Sequence, residues 1–183
     1  MTNPSLFSKT DADGLHLGPS HIIYRTRGES DVWARDEQES ALAIRERADK
    51  TMSICPVNPS NMAKPRGYSH AISVSGDRRT VYIGGQNAVD ESGNTVGTNL
   101  KEQTRQVLRN IEKILAAAGA EPENIVKLNI HTLQGQNPLE GFQAFQEQWG
   151  RIPIPPAVTV VFVSGLGKPD WLIEIDAIAE VAI

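Results

Sequence analysis

The chain has 183 residues, 39% of them hydrophobic, and a formal net charge of −4. That length favours one domain with an appendage, enough to bury about 70% of the unfolded surface. The acidic balance without a basic stripe argues against a nucleic-acid partner, and no apolar run approaches the roughly 20 residues of a membrane span. The one cysteine, Cys55, rules out an intramolecular disulfide and fits a reducing compartment. The opening Met1-Thr2-Asn3-Pro4-Ser5 lacks the order of a signal peptide. A cytoplasmic protein with neither a membrane nor a nucleic-acid partner is expected.

Residues 1–20 are polar and turn-rich. Residues 29–50 are strongly charged, with Ser30 as a candidate helix cap and only Val32, Trp33, Leu42 and Ile44 as larger apolar residues. Residues 1–51 therefore read as a polar extension, either a helical arm or a disordered lead. A start at Met52 would dispense with it. Residues 52–66, with Pro56, Asn58, Pro59 and Asn61, read as a linker.

From Gly67 the pattern tightens into a domain, 67–183. Ser69–Ser75 and Thr80–Gly84, around a turn at Asp77-Arg78-Arg79, predict a hairpin. Leu100, Thr104, Val107, Leu108, Ile111, Ile114 and Leu115 recur at helical spacing, and Gly119 stands where a helix stops. Ile125–Thr132 predicts a strand, and Pro138 opens a second helix to Trp149 with Phe142, Phe145 and Trp149 on one stripe. Ala157–Val161 and Ile173–Ala179 predict the last strands, joined by a turn-rich connector that places Glu174 opposite Val158 or Val160. The order ββαβαββ predicts an α+β fold, two helices on one face of a mixed sheet.

The chemistry-bearing residues are few. His16, His21, His70 and His131 show no metal-ligand spacing, and no cofactor motif occurs. His70 and His131 on strands read as hydrogen-bonded structural histidines. No Gly-x-Ser-x-Gly elbow is present, and nothing near Cys55 would activate its thiol. Glu174 remains, a carboxylate between isoleucines. It is either a strand glutamate turned to solvent or a general acid/base at a cleft.

Several marks in order resemble the Rid/YjgF family, whose founding members are enamine/imine deaminases. They are Gly67-Tyr68-Ser69-His70-Ala71, Ile83-Gly84-Gly85-Gln86, the helix Gln103–Ile111, Ala118-Gly119-Ala120, Pro156-Ala157 and Ile173–Ala179. The resemblance implies a chorismate-mutase-like fold and a homotrimer with a cleft between each pair of subunits. It further implies that Glu174 positions the hydrolytic water, that Tyr68 and backbone near Gly85 line the cleft, and that strand N–H groups near Val160 hold the imine or carbonyl end. The chain departs from the family at the carboxylate clamp, where Val158 replaces Arg. Valine cannot make the bidentate, charge-assisted pair of an arginine. The expectation is hydrolysis of a neutral or bulkier imine, enamine or carbonyl compound, with Trp149 helping to line an apolar pocket and Arg66 or Arg151 as the candidate substitute cations. The alternative is a non-catalytic small-metabolite binder or a regulator of a partner enzyme.

Overall fold

The computed structural model describes residues 15–17, 23–25 and 50–183. The chain divides into two units, 1–48 and 49–183. In the first, β1 (Leu15–Leu17) pairs antiparallel with β2 (Ile23–Arg25), His16 standing opposite Tyr24. The candidate cap Ser30, the apolar residues Val32, Trp33, Leu42 and Ile44, and His21 lie outside the described residues.

The second unit opens with β3 (Ser53–Val57), paired antiparallel with β4 (Ala71–Ser75). So the stretch 52–66 contains a strand, where its prolines and asparagines had suggested only a linker. Pro56 lacks an N–H to donate, and among the described residues β3 has only one neighbour, β4, so a proline is tolerated there. The hairpin predicted between β4 and β5 (Arg78–Gln86) does not form, because β4 pairs with β3 and β5 pairs with β8 (Ile173–Ala182). The turn between them is fastened elsewhere: Gly76 takes a φ of +83°, and the Asp77 N–H donates to Lys50 O at 2.7 Å.

The main sheet runs β5-β8-β6-β7, with β6 (Ile125–Leu133) and β7 (Ala157–Val163) as its one parallel pair. α1 (Leu100–Ala117) is capped by the Asn99 side chain, which accepts from the Glu102 N–H, and Gly119 follows with a φ of +62°. α2 (Pro138–Gln148) starts on its proline, with Asn137 as cap. Leu100, Val107, Leu108, Ile111 and Leu115 of α1 are buried against Ile83, Ile125, Leu128, Ile173, Ile175, Ala177 and Ala179 of the sheet. α2 packs on α1, with Ala144 buried and Phe145 and Trp149 against the same core, whereas Phe142 of the predicted stripe is 48% exposed. Trp149 ends α2; its ring meets Phe145 edge-on, and its indole N–H donates to Glu112 Oε1 of α1 at 2.6 Å.

The two units make separability of the N-terminal part a testable expectation, with the cut moved ahead of β3. A chain starting at Asp49, which keeps Lys50 for the Asp77 N–H, is expected to be soluble and to melt within a few degrees of the full chain. A start at Met52 loses that bond and should melt lower. Thermal unfolding followed by circular dichroism compares the three chains, and a fall of more than about 8 °C for the Asp49 chain, roughly 1–2 kcal/mol for a domain of this size, would show that residues 1–48 pack on the domain.

Candidate functional site

Strand alternation sorts the sheet residues into two faces. On β6, Leu128, Ile130 and Thr132 stand opposite Ala177, Ile175 and Ile173, all on the helix side. Lys127, Asn129 and His131 face the other way. On that free face Asn129 stands opposite Asp176 and His131 opposite Glu174. β6 separates β7 from β8, so Glu174 does not face Val158 or Val160 as the adjacent runs had suggested; its cross-strand partner is His131.

Glu174 is half-buried and held from the β5 side. Between Ile83 and Gln86 the pairing with β8 slips by one residue, so a bulge carries Gly84 and Gly85 past the strand. Gly85 lies so close beneath the carboxylate that a Cβ there would sit 2.3 Å from Glu174 Oε1. The other oxygen, Oε2, accepts from Asn87 Nδ2 at 3.1 Å. Asn87 is buried and fixed from behind, since Asn110 of α1 donates to its carbonyl at 3.1 Å and to Val89 O at 2.9 Å. Gln106 of α1 also donates to Val89 O, at 3.1 Å. The helix therefore sets the segment that aims Asn87 at the carboxylate.

The remaining predicted site residues sit apart from Glu174 within one chain. Val158 and Val160, opposite Leu128 and Ile130, belong to the helix face of β7. Val158 is half-buried against the core, whereas Val160 is 51% exposed. Tyr68 borders the start of β7 through its neighbour Ser69, which bridges Ala157 and donates its N–H to Pro156 O at 2.9 Å. The Tyr68 ring meets His70 edge-on. Trp149 is occupied in joining α2 to α1. Arg66 and Arg151 are exposed. Among the described residues no cluster of His, Cys, Asp and Glu could hold a metal ion, and no helix is long and apolar enough to cross a membrane.

Of the Glu174 environment, Asn87 went unnoticed in the sequence and His131 was given another role. Asn87 follows the Gly-Gly-Gln stretch with no mark of its own. His131 was read as a hydrogen-bonded structural histidine. That reading fits His70, whose Nε2 lies 2.7 Å from Ala63 O. It does not fit His131, whose Nδ1 is buried with no partner among the described residues.

A mixed sheet with two helices on one face and a carboxylate held above a glycine bulge on the other defines an α+β protein of the chorismate-mutase-like kind. A family described as Endoribonuclease L-PSP matches residues 59–181, so the chain belongs to this family, the Rid/YjgF/RutC family that its motifs resemble. A RutC family protein of Pyrococcus horikoshii is 38% identical over 121 residues, spanning 65% of this chain and 91% of the relative. The crystal structure of YyfB, a Rid-family protein of Yersinia pestis, matches with a TM-score of 0.62 at 34% identity, covering 70% of this chain and 98% of the other. A human protein named 2-iminobutanoate/2-iminopropanoate deaminase is 41% identical over 64 residues, which are 34% of this chain and 44% of that protein.

Proposed function

We propose that the chain hydrolyses small, electrically neutral imines, enamines or related carbonyl compounds, with Glu174 as general acid/base. The observation that carries this reading is the Glu174 carboxylate, held over Gly85 and by Asn87 on the free face of the sheet. A carboxylate so placed takes a proton from water as the oxygen adds to the C=N carbon. Glu174 passes that proton to the nitrogen, then takes the proton of the added hydroxyl as the C–N bond breaks and the carbonyl forms, and hands it to the departing amine. Atoms and charge balance with water as the only co-reactant. Membership in a family with members named as imine deaminases supports the reaction class. The ribonuclease suggested by the family's description is disfavoured, because Glu174, Asp176 and Glu180 share the free face and would repel phosphates.

The cleft in this reading lies between copies. Within one chain Glu174 and the pair Val158/Val160 are on opposite faces, so a second copy has to bring its β7 to the Glu174 face. β7 suits that role: Val160, Val161 and Phe162 are 51%, 43% and 46% exposed along a sheet edge. A homotrimer is the proposed assembly, and light scattering at micromolar concentration is expected to return three chain masses. A monomer there would leave the site without its second wall.

Val158 sets the substrate range. Without a clamp cation, a substrate carboxylate loses about 2–5 kcal/mol, so 2-iminobutanoate should be turned over at least about 30-fold less efficiently than a neutral imine of like size. Val158→Arg is expected to raise kcat/KM on 2-iminobutanoate about tenfold, short of full recovery, because Val158 packs on the core and the longer side chain strains it. Assays on freshly generated imines measure both. Robust wild-type activity on 2-iminobutanoate would mean that Arg66 or Arg151 does the clamping. No turnover across the panel would favour a binding or regulatory protein.

A further inference from the structure

Two of the three polar residues on the free face of β6 find a side-chain partner on a neighbouring strand, and the third does not. Lys127 Nζ donates to Thr159 Oγ1 at 2.5 Å, and Asn129 Nδ2 donates to Asp176 Oδ1 at 2.7 Å. Asn129 is satisfied by the residue across from it on β8, and Lys127 by Thr159, which stands opposite Asn129 on β7. His131 and Glu174 come next and do not meet. The carboxylate leans toward Gly85 and Asn87 on the β5 side, away from β6. The imidazole is left with Nδ1 buried and without a partner among the described residues, whereas Nε2 is not buried in that way. A buried N–H without a partner is rarer and costlier than a buried unpaired lone pair. A proton on Nε2 therefore suits this ring, since it avoids a buried unpartnered N–H and leaves a donor for a ligand.

We propose that His131 is a second catalytic residue of this site. Its Nε2–H donates a hydrogen bond to the polar end of the C=N or C=O group that Glu174 hydrates. This rests on the hydrolytic reading above and adds the donor that the reading lacks within the chain. The carboxylate turned toward β5 and the imidazole on β6 stand on either side of β8, in register across the β6–β8 pair. Glu174 moves the proton and His131 only stabilises charge growing on the heteroatom, so the imidazole neither gains nor loses a proton in the step. Groups bearing on the ring from the same face are Glu174 and Asp176 of β8 and Lys127 of β6; its neighbours on β7 are the uncharged Thr159 and Val161.

The test joins kinetics to a readout that does not need turnover. His131→Phe is expected to lower kcat about 100-fold with KM changed by less than about threefold, the loss typical of one transition-state donor. His131→Gln, whose amide nitrogen reaches where Nε2 stood, should recover about tenfold, whereas His131→Asn, which reaches only the Nδ1 position, should not. In the wild-type protein, ¹⁵N spectra of labelled histidine should show the Nε2–H tautomer at His131, and titration with 2-butanone, a neutral ketone of the product class, should shift its ring signals to saturation. A His131→Phe enzyme within twofold of wild type, an Nδ1–H tautomer, or a ring indifferent to 2-butanone would overturn the proposal. If the ring responds while no imine is turned over, the hydrolytic reading falls and the donor site stands.

Discussion

Gly85→Ala is expected to lower kcat/KM at least about 100-fold while leaving the fold intact. An alanine Cβ would lie 2.3 Å from Glu174 Oε1, 2.8 Å from Cδ and 3.0 Å from Cγ. All three atoms belong to the outer part of a flexible side chain, so the clash is relieved by rotating Glu174 away and the backbone need not move. That rotation takes the carboxylate off Asn87, and a reacting group displaced by about 1 Å loses most of its advantage. Gly84 is the control: a Cβ there meets nothing within 4 Å, so Gly84→Ala should stay near wild type in both activity and melting. Equal losses at the two positions would point to the bulge itself and not to the carboxylate.

Glu174→Gln should remove activity by about 10²–10⁴-fold, the usual contribution of a positioned acid/base. Glutamine keeps the shape, and its amide oxygen can still accept from Asn87 Nδ2. Melting should therefore remain within a few degrees of wild type, and the light-scattering mass should not change. The charge alone is removed, which separates proton transfer from packing. An enzyme as active as the parent would make Glu174 a strand glutamate turned to solvent. The pair of substitutions is informative together: Gly85→Ala displaces the carboxylate and Glu174→Gln neutralises it, so a real acid/base must fail in both.

Much of the fold was legible in the residues themselves. The seven-residue apolar pattern from Leu100 to Leu115 and the stop at Gly119 placed α1 to within a residue of its observed span, Leu100–Ala117. The alternation of Ile173, Ile175 and Ala177 with Glu174 and Asp176 separated core from free face, and burial follows it. Both signals are local: a helix or strand that buries one side writes its period into neighbouring positions. The motif order likewise carried the family. Pairing was not legible. β3 was hidden by Pro56 because an edge strand does not need the missing N–H. β4 found β3 instead of β5, although a short turn joins it to β5, because the contacts that decide pairing come from residues distant in sequence.

The site shows the same division. Glu174 was picked out as a carboxylate among isoleucines, a local anomaly that a sequence displays. What stands beside it was decided by the strand order β5-β8-β6-β7, which inserts β6 between the last two strands and so exchanges Val158 for His131 as the neighbour of Glu174. Gly85 and Asn87 join it only because a one-residue slip in the β5–β8 pairing carries them over the strand. Sequence by itself determined the elements, the buried face and the carboxylate, since each depends on residues a few positions apart. Register, bulge and strand order depend on the free energy of the whole sheet, summed over pairs far apart in the chain, and only the tertiary structure decided them.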